Sequence, residues 1–330
     1  MTLTQNQDLP DLLQTLPSMA GKTVAITGCT SGTGFNLALR CAVLGARVLM
    51  LNRPSPRSAA ALRTLRGQQL DAHFVPCDLA SLASVRVAIE QLTDACPDGL
   101  DVLCNNAGIM AAPDQSTVDG FDIQMQSNHL GHFLLTSGAI PLLERAVQVR
   151  GEARVVNHSS GARLGAALQA RYLGNNAAGL GGDGFPGLAK WRRYQQSKLA
   201  NLLFTYSLHD AIEVHRPELL GKLKSLCAHP GPTHTELQAK TLACGSNGWL
   251  DRLIVRSIVQ QAHSVEDGAM GIVRACCAAQ VASMDFYGPL GRGRAGPAVL
   301  LPAERNGRGE ALLWARSMSS LGLEDFFVTT

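Results

Sequence analysis

Short apolar runs alternate with longer amphipathic segments along this chain. The runs are Lys22 to Thr27, Arg47 to Leu51, His73 to Cys77, Leu100 to Cys104, Ala153 to Asn157 and Lys224 to His229. Several are nearly continuous in Val, Ile, Leu and Cys, as in strands buried on both faces of a parallel sheet. Between them the spacing is helical. Thr33 to Gly45 is apolar at helical intervals and ends on a glycine, a common helix terminator. Ser81 to Ala95 opens on a good N-cap residue. Ser264 to Gln280 opens Ser-Val-Glu-Asp, an acidic first turn that suits the helix dipole. The alternation predicts βαβ units and an α/β fold, a doubly wound and mostly parallel sheet with helices on both faces.

Two stretches break the pattern. Gly161 to Gly187 holds eight glycines and one proline, and Gly288 to Gly309 is rich in Gly, Pro and Arg. Long loops in a compact domain are usually functional or mobile. Residues 1–20 read as a polar N-terminal arm with one short helix at Asp11 to Leu16, and residues 21–330 as a single domain.

Composition narrows the class. The 330 residues are 46% hydrophobic and 17% charged, which excludes a disordered chain and allows a substantial core. A net charge of +3 is too small to argue for nucleic acid. No window approaches the roughly 18 apolar residues of a membrane-spanning helix; the strongest, Leu37 to Leu51, is broken by Arg40 and Arg47. The N-terminus lacks a basic region followed by an apolar one, and two Asp precede its first Lys, so neither a secretory signal nor a transit peptide is expected. The nine cysteines (Cys29, Cys41, Cys77, Cys96, Cys104, Cys227, Cys244, Cys276 and Cys277) show no zinc spacing. They read as reduced, buried small hydrophobes in a cytoplasmic protein.

The chemistry begins at Thr27-Gly28-Cys29-Thr30-Ser31-Gly32-Thr33-Gly34, between the first predicted strand and the first predicted helix. Gly28, Gly32 and Gly34 leave room for a tight turn and for backbone close to a pyrophosphate, and the helix N-terminus offers free N–H groups. Thr27, Thr30, Ser31 and Thr33 complete this candidate nucleotide loop.

This spacing, with three further motifs in order, resembles the short-chain dehydrogenase/reductase family. More narrowly it is similar to the branch holding retinol dehydrogenase-like enzymes and light-dependent protochlorophyllide reductases. The resemblance runs from about Gly21 to Leu323. The other motifs are Asn105-Asn106-Ala107-Gly108 after the fourth strand, Tyr194-Gln195-Gln196-Ser197-Lys198, and Pro230-Gly231 with Thr235 after the sixth. Phe286-Tyr287-Gly288-Pro289 resembles the branch's last strand. The resemblance implies a Rossmann fold of about seven strands and a nicotinamide cofactor contacted by Asn105, Ala107, Gly108, Pro230, Gly231 and Thr235.

Arg53 follows the second strand where the similar enzymes bind a 2′-phosphate, with no acidic residue beside it and with Arg57 in support, so NADP(H) is expected over NAD(H). Asp78, followed by Leu79, stands where the family binds the adenine amino group; capping a turn before Ser81 is the rival role.

Tyr194 and Lys198 are four apart on a predicted helix, so they share a face. An ammonium beside a phenol lowers its pKa and lets it exchange a proton near neutral pH. By resemblance Lys198 also holds the nicotinamide ribose, Ser160 hydrogen-bonds the substrate oxygen, and Asn128 completes a proton relay. No metal is expected: His129 and His132 are spaced for one but no third ligand is apparent. His158 reads as a core histidine or a pocket residue, and His229 and His234 as loop-shaping. The insertion between Ser160 and Tyr194, Gly-rich over 161–190 and carrying Tyr172, Asn175, Asn176, Phe185 and Trp191, should border the substrate. A lid over 236–262 offers Leu237, Leu242, Trp249, Leu250, Leu253, Ile254, Ile258 and Val259, which hints at a lipophilic substrate.

The function expected is hydride transfer between NADP(H) and a small-molecule carbonyl or alcohol. The alternatives are C=C reduction, as in protochlorophyllide reductase, and a catalytically silent dinucleotide-binding regulator. Monomer and homodimer both remain open.

Overall fold

A computed structural model describes residues 8–181, 187–233, 249–290 and 295–328. All six apolar runs form strands, displaced by no more than a residue or two: β1 Thr23–Thr27, β2 Arg47–Asn52, β3 Ala72–Pro76, β4 Val102–Asn105, β5 Ala153–His158 and β6 Leu223–Ala228. Phe286–Pro289 is β7, as expected, and Ala298–Leu301 is β8. The sheet therefore has eight strands, ordered β3-β2-β1-β4-β5-β6-β7-β8, where about seven were expected. Only β7 and β8 pair antiparallel, in the register Phe286↔Leu301 and Pro289↔Ala298. The extra strand lies in the Gly/Pro/Arg-rich segment, where it is short and only partly buried.

Ten helices surround the sheet among the described residues: α1 Asp8–Thr15, α2 Gly32–Val43, α3 Pro56–Gly67, α4 Leu82–Ala95, α5 Ile123–Met125, α6 Gly131–Arg150, α7 Leu188–His215, α8 Trp249–Gln260, α9 Val265–Cys277 and α10 Gly307–Leu321. Two apolar layers result. One packs α4, α6, α7 and α10 through residues such as Leu92, Leu143, Phe204 and Leu313. The other packs α2, α3 and α9 through Leu37, Leu65 and Ile272. Leu12 and Leu16 of the N-terminal arm join this second layer, so the arm is docked through an apolar face. Ser81 and Ser264 cap α4 and α9 as expected, each accepting a hydrogen bond from a backbone N–H three residues on. Helix α9 stops at Cys277, three residues before the expected Gln280, because Ala278 takes an extended ψ of 143°.

The described cysteines are free and buried, with Cys41 Sγ 3.6 Å from Cys277 Sγ; Cys244 lies outside the described residues. No helix among the described residues is long and apolar enough to cross a membrane. The strand order reverses between β1 and β4, which opens a crevice at the carboxyl ends of these strands.

Candidate cofactor cleft and reaction centre

The glycine loop sits at that reversal. Gly28 and Gly32 adopt left-handed φ values of 67° and 61°, which glycine alone takes without strain. The Gly28 N–H donates to Leu51 O (3.0 Å) and the Cys29 N–H to Asn52 Oδ1 (2.9 Å), pinning the loop to the end of β2. Arg53, the next residue, is exposed there. Ser31 caps α2 by backbone position only, with no side-chain hydrogen bond, so the N–H groups of the first turn are not taken by a cap.

Asn106 holds the loop from the other side. Its Nδ2 donates to Thr27 O (2.8 Å) and Gly28 O (3.1 Å). Thr27 Oγ1 accepts from the N–H groups of Asn106 and Ala107, each at 3.0 Å. Asn105 is anchored by its side chain. Its side chain points into the interior, donating to Thr136 Oγ1 and Asn157 Oδ1 (both 3.0 Å), so only its backbone is available to a nucleotide. The adjacent Asn106 is the residue that shapes the loop. A Cβ at Gly34 would lie 2.4 Å from both Asn106 Nδ2 and Gly28 O. Gly34→Ala is therefore expected to cost about 1–3 kcal/mol and to weaken nucleotide binding, measured by thermal melting and fluorescence titration. Wild-type values for both would show that the loop tolerates the methyl group.

Asp78 does cap a turn: Oδ1 accepts from the Ala80 N–H (3.0 Å) and its carbonyl from the Ser81 N–H (3.0 Å). Leu79 beside it is buried in the first apolar layer. After β6, Gly231 has φ 68° and its N–H donates to His229 Nδ1 (3.2 Å), while Pro230 O accepts from His263 Nε2 (2.6 Å). Thr235 and His234 lie outside the described residues.

Tyr194 and Lys198 are both buried on α7. Lys198 Nζ donates to His158 O at 2.9 Å. Ser160 follows β5 with its side chain near enough to Tyr194 to favour the phenolate, whereas Ser159 faces away and donates to Lys198 O (2.7 Å). Asn128 lies in a π-helical turn, Gln126–Leu130, between α5 and α6. Such turns recur at functional sites. Its Oδ1 accepts from the Ile109 N–H (2.8 Å) and its Nδ2 donates to Ile109 O (2.9 Å) and Ser197 Oγ (2.8 Å). Gly108 lies beside Lys198 and Asn128: a Cβ there would be 3.2 Å from Lys198 Nζ and 3.3 Å from Asn128 Oδ1. The four residues expected together are thus gathered beside the glycine loop.

Burial dominates the electrostatics of the pair: it pushes the Tyr194 phenol up to about 12, and the Ser160 side chain is what pulls it down. Burial also lowers Lys198 to about 8. The protein alone does not make this phenol acidic.

Met110, Ala111, Ala162 and Trp191 form the apolar surroundings of Tyr194. Of the insertion, Trp191 is placed at Tyr194, but Tyr172 is buried in the first layer and Asn175 Nδ2 donates to Asp119 O (3.3 Å), away from it. Phe185 lies outside the described residues, as do Leu237 and Leu242 of the expected lid. The part of the lid that is described, α8, is tied down by Asp251, which accepts from Lys190 Nζ (2.7 Å) and Trp191 Nε1 (2.9 Å). Fully buried Arg193, beside Tyr194, donates to Asp122 Oδ2 (2.6 Å) and Ala112 O (2.8 Å). Sequence reading missed both links, since the partners are 61 and 71 positions apart. The two helix histidines belong to packing: His129 meets Ser317 Oγ at 2.8 Å, and His132 bridges Thr27 Oγ1 (2.8 Å) and Asn128 O (3.0 Å).

Comparison with known proteins agrees with this architecture. The profile of the short chain dehydrogenase family matches residues 22–178. Retinol dehydrogenase 13 of Homo sapiens is 34% identical over 239 residues, 69% of this chain and 64% of that protein. Polyprenol dehydrogenase of Mus musculus is 32% identical over 270 residues, 81% of this chain and 74% of that protein. A crystal structure from Mycobacterium paratuberculosis superposes with a TM-score of 0.70 at 33% identity, over 94% of this chain and 97% of that one. By sheet order, motifs and relatives, the chain belongs to the short-chain dehydrogenase/reductase family of oxidoreductases, in its retinol dehydrogenase-like branch, with the family's NAD(P)-binding Rossmann fold.

Proposed function

We propose that the protein is an NADP(H)-dependent oxidoreductase acting on a lipophilic carbonyl or alcohol, with Tyr194 as general acid and base. The observation that carries this reading is the gathering of Tyr194, Ser160, Lys198 and Asn128 beside the glycine loop. The residues present fit a dinucleotide. The loop has no side chain at Gly28 or Gly34, and the first turn of α2 has unclaimed N–H groups for a diphosphate. Thr30, Ser31, Thr33 and the 230–231 turn contribute further contacts, Asp78 and Leu79 those to adenine, and Thr235 that to the carboxamide.

When bound, the nicotinamide supplies or takes the hydride. In reduction, Ser160 holds the substrate oxygen and Tyr194 gives it a proton. Lys198 holds the ribose and, with Asn128, replaces the proton on Tyr194. Lipophilic substrates are supported by Met110, Ala111, Ala162 and Trp191 around Tyr194 and by the names of the relatives, retinol and polyprenol dehydrogenase.

Arg53 carries the cofactor preference. NADPH consumption with aldehydes and ketones of increasing chain length is expected to exceed NADH consumption. Arg53→Ser should shrink that ratio by about 10- to 100-fold, the loss of one charge-assisted hydrogen bond. A wild-type preference for NADH, or an unmoved ratio in the variant, would refute the assignment.

A further inference from the structure

His158, the last residue of β5, touches both halves of the site. Its ring Nδ1 lies 2.8 Å from Asn106 Oδ1. The orientation of that amide is settled by its other end, since Nδ2 donates to Thr27 O and Gly28 O. An amide oxygen can only accept, so the proton must sit on Nδ1. Burial first, and then the Lys198 charge, hold this ring neutral. Nε2 is consequently a bare acceptor, buried and without a hydrogen-bond partner among the described residues. The backbone of the same residue faces the reaction centre: its carbonyl accepts from Lys198 Nζ (2.9 Å) and Asn201 Nδ2 (3.1 Å).

A buried acceptor without a donor destabilises a fold. An apolar side chain in this position would avoid that cost and leave the carbonyl untouched. Among the described residues the side chain hydrogen-bonds Asn106, and Asn106 sets the path of Thr27 and Gly28. We propose that His158 is a positioning residue that couples the glycine loop to the Lys198 end of the reaction centre, its ring fixing Asn106 and its carbonyl fixing Lys198. This rests on the nucleotide cleft proposed above.

The coupling separates affinity from stability. In the full chain, His158→Val is expected to weaken NADPH binding about tenfold or more, one hydrogen bond's worth, with an unchanged or raised melting temperature. His158→Asn keeps an N–H close to the Nδ1 position. It should recover binding to within about threefold of wild type. NADPH fluorescence titration gives the affinity and circular dichroism the melting temperature. Wild-type affinity in His158→Val overturns the proposal, as does a His158→Asn variant that binds no better than His158→Val. If His158→Val does not fold, His158→Ser, too short to reach Asn106, takes its place with the same two outcomes. A wild-type chain that binds no nicotinamide nucleotide overturns the proposed function and this inference together; wild-type binding with an indifferent His158 overturns the inference alone.

Discussion

Tyr194→Phe is expected to lower kcat for carbonyl reduction by about 100- to 10,000-fold, the usual worth of a positioned general acid, while NADPH still binds. The substitution removes one oxygen and leaves the ring among Met110, Ala111, Ala162 and Trp191. Folding is not the variable, since the neighbouring Ser160 side chain keeps its own hydrogen bond, accepting from the Ala162 N–H (3.2 Å). The pKa directions sharpen the expectation. With burial holding the phenol near about 12, Tyr194 is protonated across the physiological range, the state reduction requires. Oxidation of an alcohol needs the phenolate instead, so its rate should climb with pH over a range where reduction stays flat. Single-turnover NADPH oxidation beside fluorescence titration separates chemistry from binding. Turnover in Tyr194→Phe equal to wild type would remove this residue from the reaction, whatever else the fold implies.

Much of this architecture is visible in one sequence because burial writes itself into strands. A parallel strand covered on both faces must be apolar nearly throughout, and β1, β4 and β5 are. Strand β8 was invisible for the converse reason: at the sheet edge, Val299 to Leu301 are partly buried or exposed, and the flanking glycines and prolines mask a run of four residues. The site divides along a similar line. Tyr194 and Lys198 share a helix face, so their spacing alone pairs them. Lys190 with Asp251, and Arg193 with Asp122, meet only through tertiary packing, and no local period encodes that. The Asn105-Asn106 pair shows a subtler limit. Adjacent residues at the end of a strand face opposite ways, and which of the two reaches the loop depends on the strand's register against β1 and β5. The proximity of Tyr194 to a lysine is legible in the spacing, whereas the burial that opposes its ionisation is not.

Acid should unfold this protein by way of its buried histidines. His129, His132, His158 and His229 are all buried. Burial lowers His129 to about 3, His132 to about 4 and His229 to about 3, and it holds His158 well below the usual range. The surroundings explain why: His129 is packed edge-on against Phe133 and Phe204, with ring centroids 5.8 and 5.7 Å away, and a cation there has no anionic neighbour to meet. In the unfolded chain each ring takes a proton near about 6.5. Below that pH the unfolded state binds protons that the folded state refuses. The stability these residues allow is therefore fully present above about pH 6.5. It falls as pH drops and stops falling only near the folded values. Each histidine contributes a little over 1 kcal/mol per pH unit, so the four together remove about 5 kcal/mol per unit. Against a net stability of about 5–15 kcal/mol, the unfolding midpoint should fall between about pH 3.5 and 5.5. Far-ultraviolet circular dichroism across a pH series reads it directly. His129→Phe, which fills the same aromatic cluster without a titrating group, should move the midpoint to lower pH. A wild-type chain that stays folded below about pH 3.5 would mean that these four rings accept protons in place, and that the interior around β5 and α6 is more polar than its packing implies.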